Sequence, residues 1–295
     1  MTQETYNAVQ VRYGNIAKRS HDTQQFSNAN SVEDSLARAF GYSEEDLASL
    51  PEKANLGVSC GTPVAVAGIK EGETVVDLGS GAGIDVFLAS RKVGPQGKAI
   101  GVDMTEEMIS LACRNAGHSN LQNTLFIQSP ITSIPLEDST VDCIISNCVI
   151  NLVPHKDKPA PGGRVAISDI LARRELPVAI LDDMALYVGC IAGASQVTEY
   201  QAWLEGVGLT DILFVDAKAN INLYKQSSDT GQGSCCGAAK KSVRLPVSEF
   251  ADVDFNAWVG SFQIYAVKAR SAERGLGITC DVDASEPAEF GHYRE

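Results

Sequence analysis

Positive charge is scarce in this 295-residue chain: 24 Lys and Arg stand against 37 Asp and Glu, a net charge of −13. Phosphate backbones and anionic lipid surfaces are recognised through basic faces, so neither nucleic acid nor membrane is expected as a partner. A small molecule is expected instead. No apolar run reaches the length of about 18 residues that a membrane span requires. The opening residues, Met1-Thr2-Gln3-Glu4-Thr5, lack the basic stretch and apolar run of a secretory leader, so a cytoplasmic location is expected. The four histidines (His21, His118, His155, His292) form no ligand or general-base pattern. The eight cysteines include no C-x-x-C pair, which removes the spacing of common zinc sites. A reducing compartment also disfavours a disulfide framework.

What is present points to an α/β protein. Hydrophobic residues make up 44% of the chain, enough to bury a full core. Residues 1–54 read as a peripheral helical segment. From Thr74 onward the pattern alternates: strand Thr74–Leu78, glycine turn, buried helix after Gly83, strand Lys98–Val102, and a helix capped by Thr105. Strands Thr124–Gln128, Val141–Val149 and Arg164–Ile170 follow. Alternating strands and helices predict a parallel sheet covered on both faces. The predicted architecture is a Rossmann-like α/β domain over 55–215 and a smaller C-terminal α+β region over 216–295. That region holds a mobile loop, Ser227–Lys241, and an antiparallel strand, Phe262–Val267. One helix is missing from the pattern. The crossover Ile150–Gly163 is short and carries Pro154, Pro159 and Pro161, whereas a parallel crossover needs a dozen or more residues, usually helical. Residues absent between Pro159 and Gly162 are the favoured explanation.

Asp77-Leu78-Gly79-Ser80-Gly81-Ala82-Gly83 follows the first strand directly. Glycines there allow a sharp turn and close approach to a ligand. The spacing is Gly-x-Gly-x-Gly, and Asp77 precedes it. A carboxylate suits a zwitterionic amino-acid tail and repels a pyrophosphate, so S-adenosylmethionine (SAM) is expected in preference to a dinucleotide. Asp103, ending the second strand, is placed to accept ribose hydroxyls, with Met104 beside it. Ile131 and Thr132 follow the third strand, where adenine would lie. Ser146, Asn147, Cys148 and Val149 close the fourth strand at the rim where ligands sit, and Asn147 and Val149 are taken as cofactor contacts. Cys143 and Cys148 are read as core packing within an apolar strand. Cys60, Cys190 and the pair Cys235-Cys236 sit in turn contexts, and as a set they suggest a soft, thiophilic ligand.

These segments resemble the arsenite SAM methyltransferases. The likeness runs from residue 9 to about 225, through Tyr13-Gly14, the Cys60 turn, Asp77–Gly83, Gly101–Thr105, the specific run Ser146–Pro154, Gly162–Asp169 and Cys190. It implies methyl transfer from SAM to thiol-bound trivalent arsenic, turning arsenite into methylarsenite and further products, in arsenic detoxification. By the same resemblance Tyr13 contacts the methionine part of SAM, Asp103 the ribose, and Ile131 and Thr132 the adenine. Cys60, Cys190 and one of Cys235 and Cys236 are expected to replace the arsenite hydroxyls. Glutathione, thioredoxin or a transient Cys60–Cys190 disulfide would return electrons to arsenic. The chain departs from the family at Asn28 and near Ala257, where cysteines are expected, and in its short crossover. Two other readings remain open: a methyltransferase of a small organic metabolite, and a non-catalytic metalloid-binding protein, against which the intact glycine loop counts.

Overall fold

A computed structural model describes residues 3–22, 32–119, 121–152, 163–183, 186–187, 189–223, 250 and 252–268. Seven strands form one sheet: β1 (Thr74–Leu78), β2 (Lys98–Asp103), β3 (Thr124–Gln128), β4 (Cys143–Asn147), β5 (Arg164–Ala172), β6 (Leu209–Asp216) and β7 (Val259–Lys268), in the order 3-2-1-4-5-7-6. β1 to β5 run parallel, and β7 runs antiparallel between β5 and β6. The central strands are buried almost throughout, as expected where helices cover both faces.

The helices follow from their apolar spacing. In chain order they are α1 (Gln3–Asp22), α2 (Val32–Ala39), α3 (Glu44–Ala48), α4 (Pro63–Val66), α5 (Ile84–Val93), α6 (Glu106–His118), α7 (Val178–Leu181) and α8 (Val197–Gly206). α5 buries Val86, Phe87, Leu88, Ala89 and Val93, so it is apolar almost all round and sits deep against the sheet. α6 buries Met108, Leu111, Ala112 and Asn115, one face at helical spacing. Its first turn carries Glu106 and Glu107, which complement the positive end of the helix dipole. α1 lies on α6: Ala17 packs with Met108, Leu111 and Ala82, with Tyr13 and Ile16 against them. A Lys18–Glu107 ion pair at 2.7 Å spans the two helices, though its exposure makes its contribution small.

The register aligns three carboxyl-end turns. Asp77 pairs with Gly101 and Ile145, and Asn147 with Ser168. The segments after Leu78, Asp103 and Asn147 therefore leave the sheet side by side, at the edge where ligands bind in open α/β sheets. β4 and β5 pair in parallel as expected, and a 3-10 turn, Ile150–Leu152, opens their connection. The expected gap near Pro159 lies outside the described residues. The boundary drawn at 216 from the sequence falls between β6 and β7, which are hydrogen-bonded neighbours. Beyond it, β7 belongs to the main sheet and buries Ile264 and Ala266 in the same cluster as Val76, Val102 and Ile144.

Ile264 is fully buried. Ile264→Ala should destabilise the whole protein by about 2–5 kcal/mol, the usual cost of such a cavity. In urea, fluorescence from Trp203 and Trp258 should report one transition coincident with far-UV circular dichroism. A separate second transition for the C-terminal residues would contradict this integration.

Candidate active site

The glycine loop is built by backbone conformations that other residues resist. Gly79, Gly81 and Gly83 all have positive φ, at 72°, 52° and 97°. The loop is tied to β2 by Gly79 N–H and Ser80 N–H, which donate to the Val102 carbonyl at 2.7 and 3.0 Å. Gly81 N–H donates to Asp103 Oδ2 at 3.0 Å. A Cβ on Gly79 would collide with the Val149 side chain, and one on Gly83 would meet Phe87 at 2.8 Å. Ser80 is accommodated because its neighbour Gly101 has no side chain; a Cβ there would lie 2.6 Å from Ser80 Oγ.

Beside this loop lies a cavity with a mostly apolar wall and a few polar groups, the usual make-up of small-molecule sites. Of the residues singled out in the sequence, Tyr13, Gly79, Gly81, Asp103, Met104, Ile131, Thr132, Asn147 and Val149 line it. Asp77 and Ser80 do not; both are buried behind the loop. Tyr6, Val9, Val58, Thr105, Met108, Pro130, Cys148 and Leu152 complete the wall. Tyr6, Val9 and Tyr13 are spaced by three and four along α1, so one helix face roofs the cavity. That spacing was present in the sequence and would have found Tyr6 and Val9.

Three buried carboxyl groups surround the loop. Asp103 accepts from Thr105 N–H at 2.8 Å as well as from Gly81, yet burial holds its pKa above the ordinary value. With about four acceptor positions on a carboxylate, capacity remains for a ligand hydroxyl. Asp77 is pushed well up by burial and then by the charges of Asp85 and Asp103. Its Oδ1 is buried without a hydrogen-bond partner. Asp85 is pushed up to about 6 by burial, opposed by hydrogen bonds from Asn147 and Tyr42. Tyr42 Oη donates to both Asp85 oxygens at 2.9 and 3.0 Å.

Asn147 connects this acid pair to a cysteine turn. Its Nδ2 lies 2.9 Å from Tyr42 Oη, 3.0 Å from Asp85 Oδ2 and 2.8 Å from the Gly61 carbonyl oxygen. Its Oδ1 accepts from Cys60 N–H at 3.0 Å. Gly61 packs against β5, where a Cβ would sit 2.6 Å from that of Ser168. Ser261 of β7 donates to the Cys60 carbonyl from the other side. The Cys60 turn is thus held by β4, β5 and β7 together.

The sulfur positions correct the sequence reading. Cys148 is buried in the core as expected, but it also forms a disulfide with Cys60, Cα atoms 5.9 Å apart, whereas the only internal pair considered from the sequence, as one of three electron sources, was Cys60–Cys190. Cys148 lies one residue beyond β4 with φ 56°, and this left-handed turn departs from the strand alternation on which the core reading rested. Cys190 stands close by: its Sγ lies 3.1 Å from the Cys148 carbonyl oxygen. Cys190 also has a positive φ, 67°, and interacts with the Tyr13 hydroxyl, whose pKa is raised chiefly by burial and then by Cys190. Left-handed conformations at non-glycine residues cost on the order of 1–3 kcal/mol and cluster at functional sites. Cys143 is buried core as expected, its thiol pushed up to about 12 by burial. Cys113 is exposed on α6. Cys235 and Cys236 lie outside the described residues.

The chain is similar to known proteins. Residues 69–208 match the family described as a methyltransferase domain. The arsenite methyltransferase of Halobacterium salinarum is 40% identical over 224 residues, 70% of this chain and 57% of that protein. The arsenite methyltransferase of Mus musculus is 31% identical over 84% of this chain and 70% of its own length. The chain belongs to the arsenite methyltransferase family. It spans little more than half the length of the Halobacterium relative. The crystal structure of an arsenic(III) S-adenosylmethionine methyltransferase from Chlamydomonas reinhardtii matches with a TM-score of 0.51 at 26% identity, covering 82% of this chain and 76% of that one. Among the described residues, no helix is long and apolar enough to cross a membrane.

The raised acids give a pH dependence of known sign. Asp77 and Asp85 keep protons in the folded state where the unfolded chain has lost them. Their contribution is therefore fully present below the ordinary carboxylate range and is lost as pH rises through the folded values, about 6 for Asp85. Asp77→Asn removes one such acid. The thermal midpoint of this variant minus that of the wild type, without added ligands, should increase as pH rises from about 4 to about 8. A constant or decreasing difference would contradict the assignment.

Proposed function

We propose that the protein methylates trivalent arsenic, with SAM as donor in the Gly79–Asp103 cavity and Cys60, Cys148 and Cys190 as the arsenic-binding thiols. The observation that carries this reading is that Cys148 lines the cavity while Cys60, bonded to it, and Cys190, on its carbonyl oxygen, stand directly behind it.

The cavity residues fit SAM on chemical grounds. Asp77 stands behind the loop with one buried oxygen that has no hydrogen-bond partner, and a cationic ammonium on the cavity side of the loop would favour its ionised form. Gly79 and Gly81 leave room for that tail, Asp103 accepts ribose hydroxyls, and Ile131 and Thr132 flank the adenine. SAM supplies an electrophilic methyl group on a sulfonium. Tyr13 on α1 touches both halves of the site, lining the cavity and holding Cys190.

Arsenite is the second substrate. Each thiol exchanges for one hydroxyl: an S–H and an As–O bond break, an As–S bond forms, and water leaves. Three such exchanges fill the pyramidal shell of As(III), so Cys235 and Cys236 are not needed to complete it. The arsenic lone pair is the nucleophile and needs no general base; the chain's contribution is orientation. Among the described cavity-lining residues there is no His, Lys or Glu, and the one carboxylate, Asp103, accepts from Gly81 and Thr105. Gaining a methyl group takes arsenic formally from As(III) to As(V). Closure of the Cys60–Cys148 bond returns two electrons, and glutathione or thioredoxin reopens it. A cytoplasmic setting, where such reductants are at hand, and a role in detoxification complete the reading.

Incubation of the reduced chain with arsenite, SAM and thiol should give methylated arsenicals on speciation. Cys148→Ser should lower the rate by about a hundredfold or more, the scale of losing an orienting contact. Replacement of both Cys235 and Cys236 by Ser should leave most of the rate. Full activity in Cys148→Ser would reject the thiol set, and methylation of an organic acceptor without any of arsenic would reject the substrate.

A further inference from the structure

Asp169 is not used by the proposed reaction, yet it stands beside the thiols. One of its carboxylate oxygens, Cys60 Sγ and Cys148 Sγ all lie within 4.8 Å of one another, and all three residues are buried. The carboxylate is held there by the Asn151 amide at 2.9 Å and by the Asn151 and Ile170 backbone N–H groups at 3.2 and 2.9 Å. Such fixed donors are the usual support of a ligating carboxylate. A buried carboxylate next to two sulfurs opposes their ionisation unless a cation joins them. Arsenic bound to three thiolates is a neutral unit and gains nothing from that negative charge. A divalent cation does.

We propose that, once the Cys60–Cys148 bond is reduced, Cys60, Cys148 and Asp169 bind a thiophilic divalent cation, Zn²⁺ being the one to test, in competition with arsenite. The inference rests on the reading of the thiol pair as the arsenic site. Two sulfurs and one oxygen are donors that Zn²⁺ accepts, and water completes its tetrahedron. Binding converts two S–H groups to Zn–S bonds and releases two protons to solvent. The sequence carries no zinc spacing because the donors come from three separate segments: the turn before α4, the end of β4, and β5. Occupancy would make methylation sensitive to free zinc and to the redox state of the pair, since the disulfide has no thiolate to offer.

The two ligands use overlapping but unequal donor sets, which gives the test. Reduced, metal-stripped full-length chain is titrated with Zn²⁺ against a chromogenic chelator, and separately with arsenite by protein fluorescence. The wild type should take up one Zn²⁺ that arsenite displaces and that Cys60→Ser loses. Asp169→Asn should weaken Zn²⁺ about tenfold or more, the lower end for disturbing a metal site, and leave arsenite within about threefold. Cys190→Ser should do the reverse. A wild-type chain that binds arsenite but no Zn²⁺ at micromolar concentration overturns the inference and leaves the arsenic reading standing; so does Zn²⁺ binding that survives in Cys60→Ser. Equal loss of both ligands in Asp169→Asn assigns the carboxylate to the fold and likewise overturns it. A chain that binds neither ligand defeats both readings.

Discussion

The site depends on the hydrogen bonds of one amide, that of Asn147. Its oxygen holds the Cys60 backbone, and its nitrogen lies within hydrogen-bonding distance of Gly61, Tyr42 and Asp85. Because Asn147 ends β4 and is followed at once by Cys148, the same residue sets both halves of the sulfur pair. The amide has no charge to desolvate, and its donors and acceptor are met by buried partners, the condition under which a polar group stabilises an interior. Loss of that amide would free the Cys60 turn and leave the Tyr42–Asp85 pair short of a donor.

Around this amide the protein concentrates carboxyl groups. Asp77, Asp85 and Asp103 are all buried with raised pKa values, and burial is the first cause in each. Burial disfavours the charged form of each group. Of the three, only Asp103 lines the cavity, and a cationic ligand there would favour its ionised form. The same logic separates the acids by role. Asp103 faces the cavity, Asp77 lies behind the loop, and Asp85 serves the Tyr42–Asn147 network.

Most of the cavity wall was legible in the sequence because its signals are local. A glycine-rich turn after an apolar strand, with Asp103 closing the next strand, needs no long-range information, and those residues meet on one cavity wall. The Phe262–Val267 strand was also legible from alternation, but its position between β5 and β6 was not, since pairing partners are not written in a strand's own residues. The sulfur chemistry was read less well for the same reason. Cys60 and Cys148 are 88 residues apart, and Cys148 follows an apolar strand whose periodicity points to the core. Only the left-handed turn at Cys148, visible in the backbone, turns it to the Cys60 side. Cys235 and Cys236 drew attention through their glycine-rich surroundings, and they lie outside the described residues.

The central claim is that three thiols from three turns hold one arsenic atom. X-ray absorption at the arsenic edge, on the reduced chain loaded with one equivalent of arsenite, counts the neighbours directly. The account predicts three sulfur neighbours and no oxygen, with one sulfur replaced by oxygen in each of Cys60→Ser, Cys148→Ser and Cys190→Ser. It predicts no change when Cys235 and Cys236 are both serine. A shell that keeps three sulfurs in Cys148→Ser, or loses one in the double-serine variant, would contradict it.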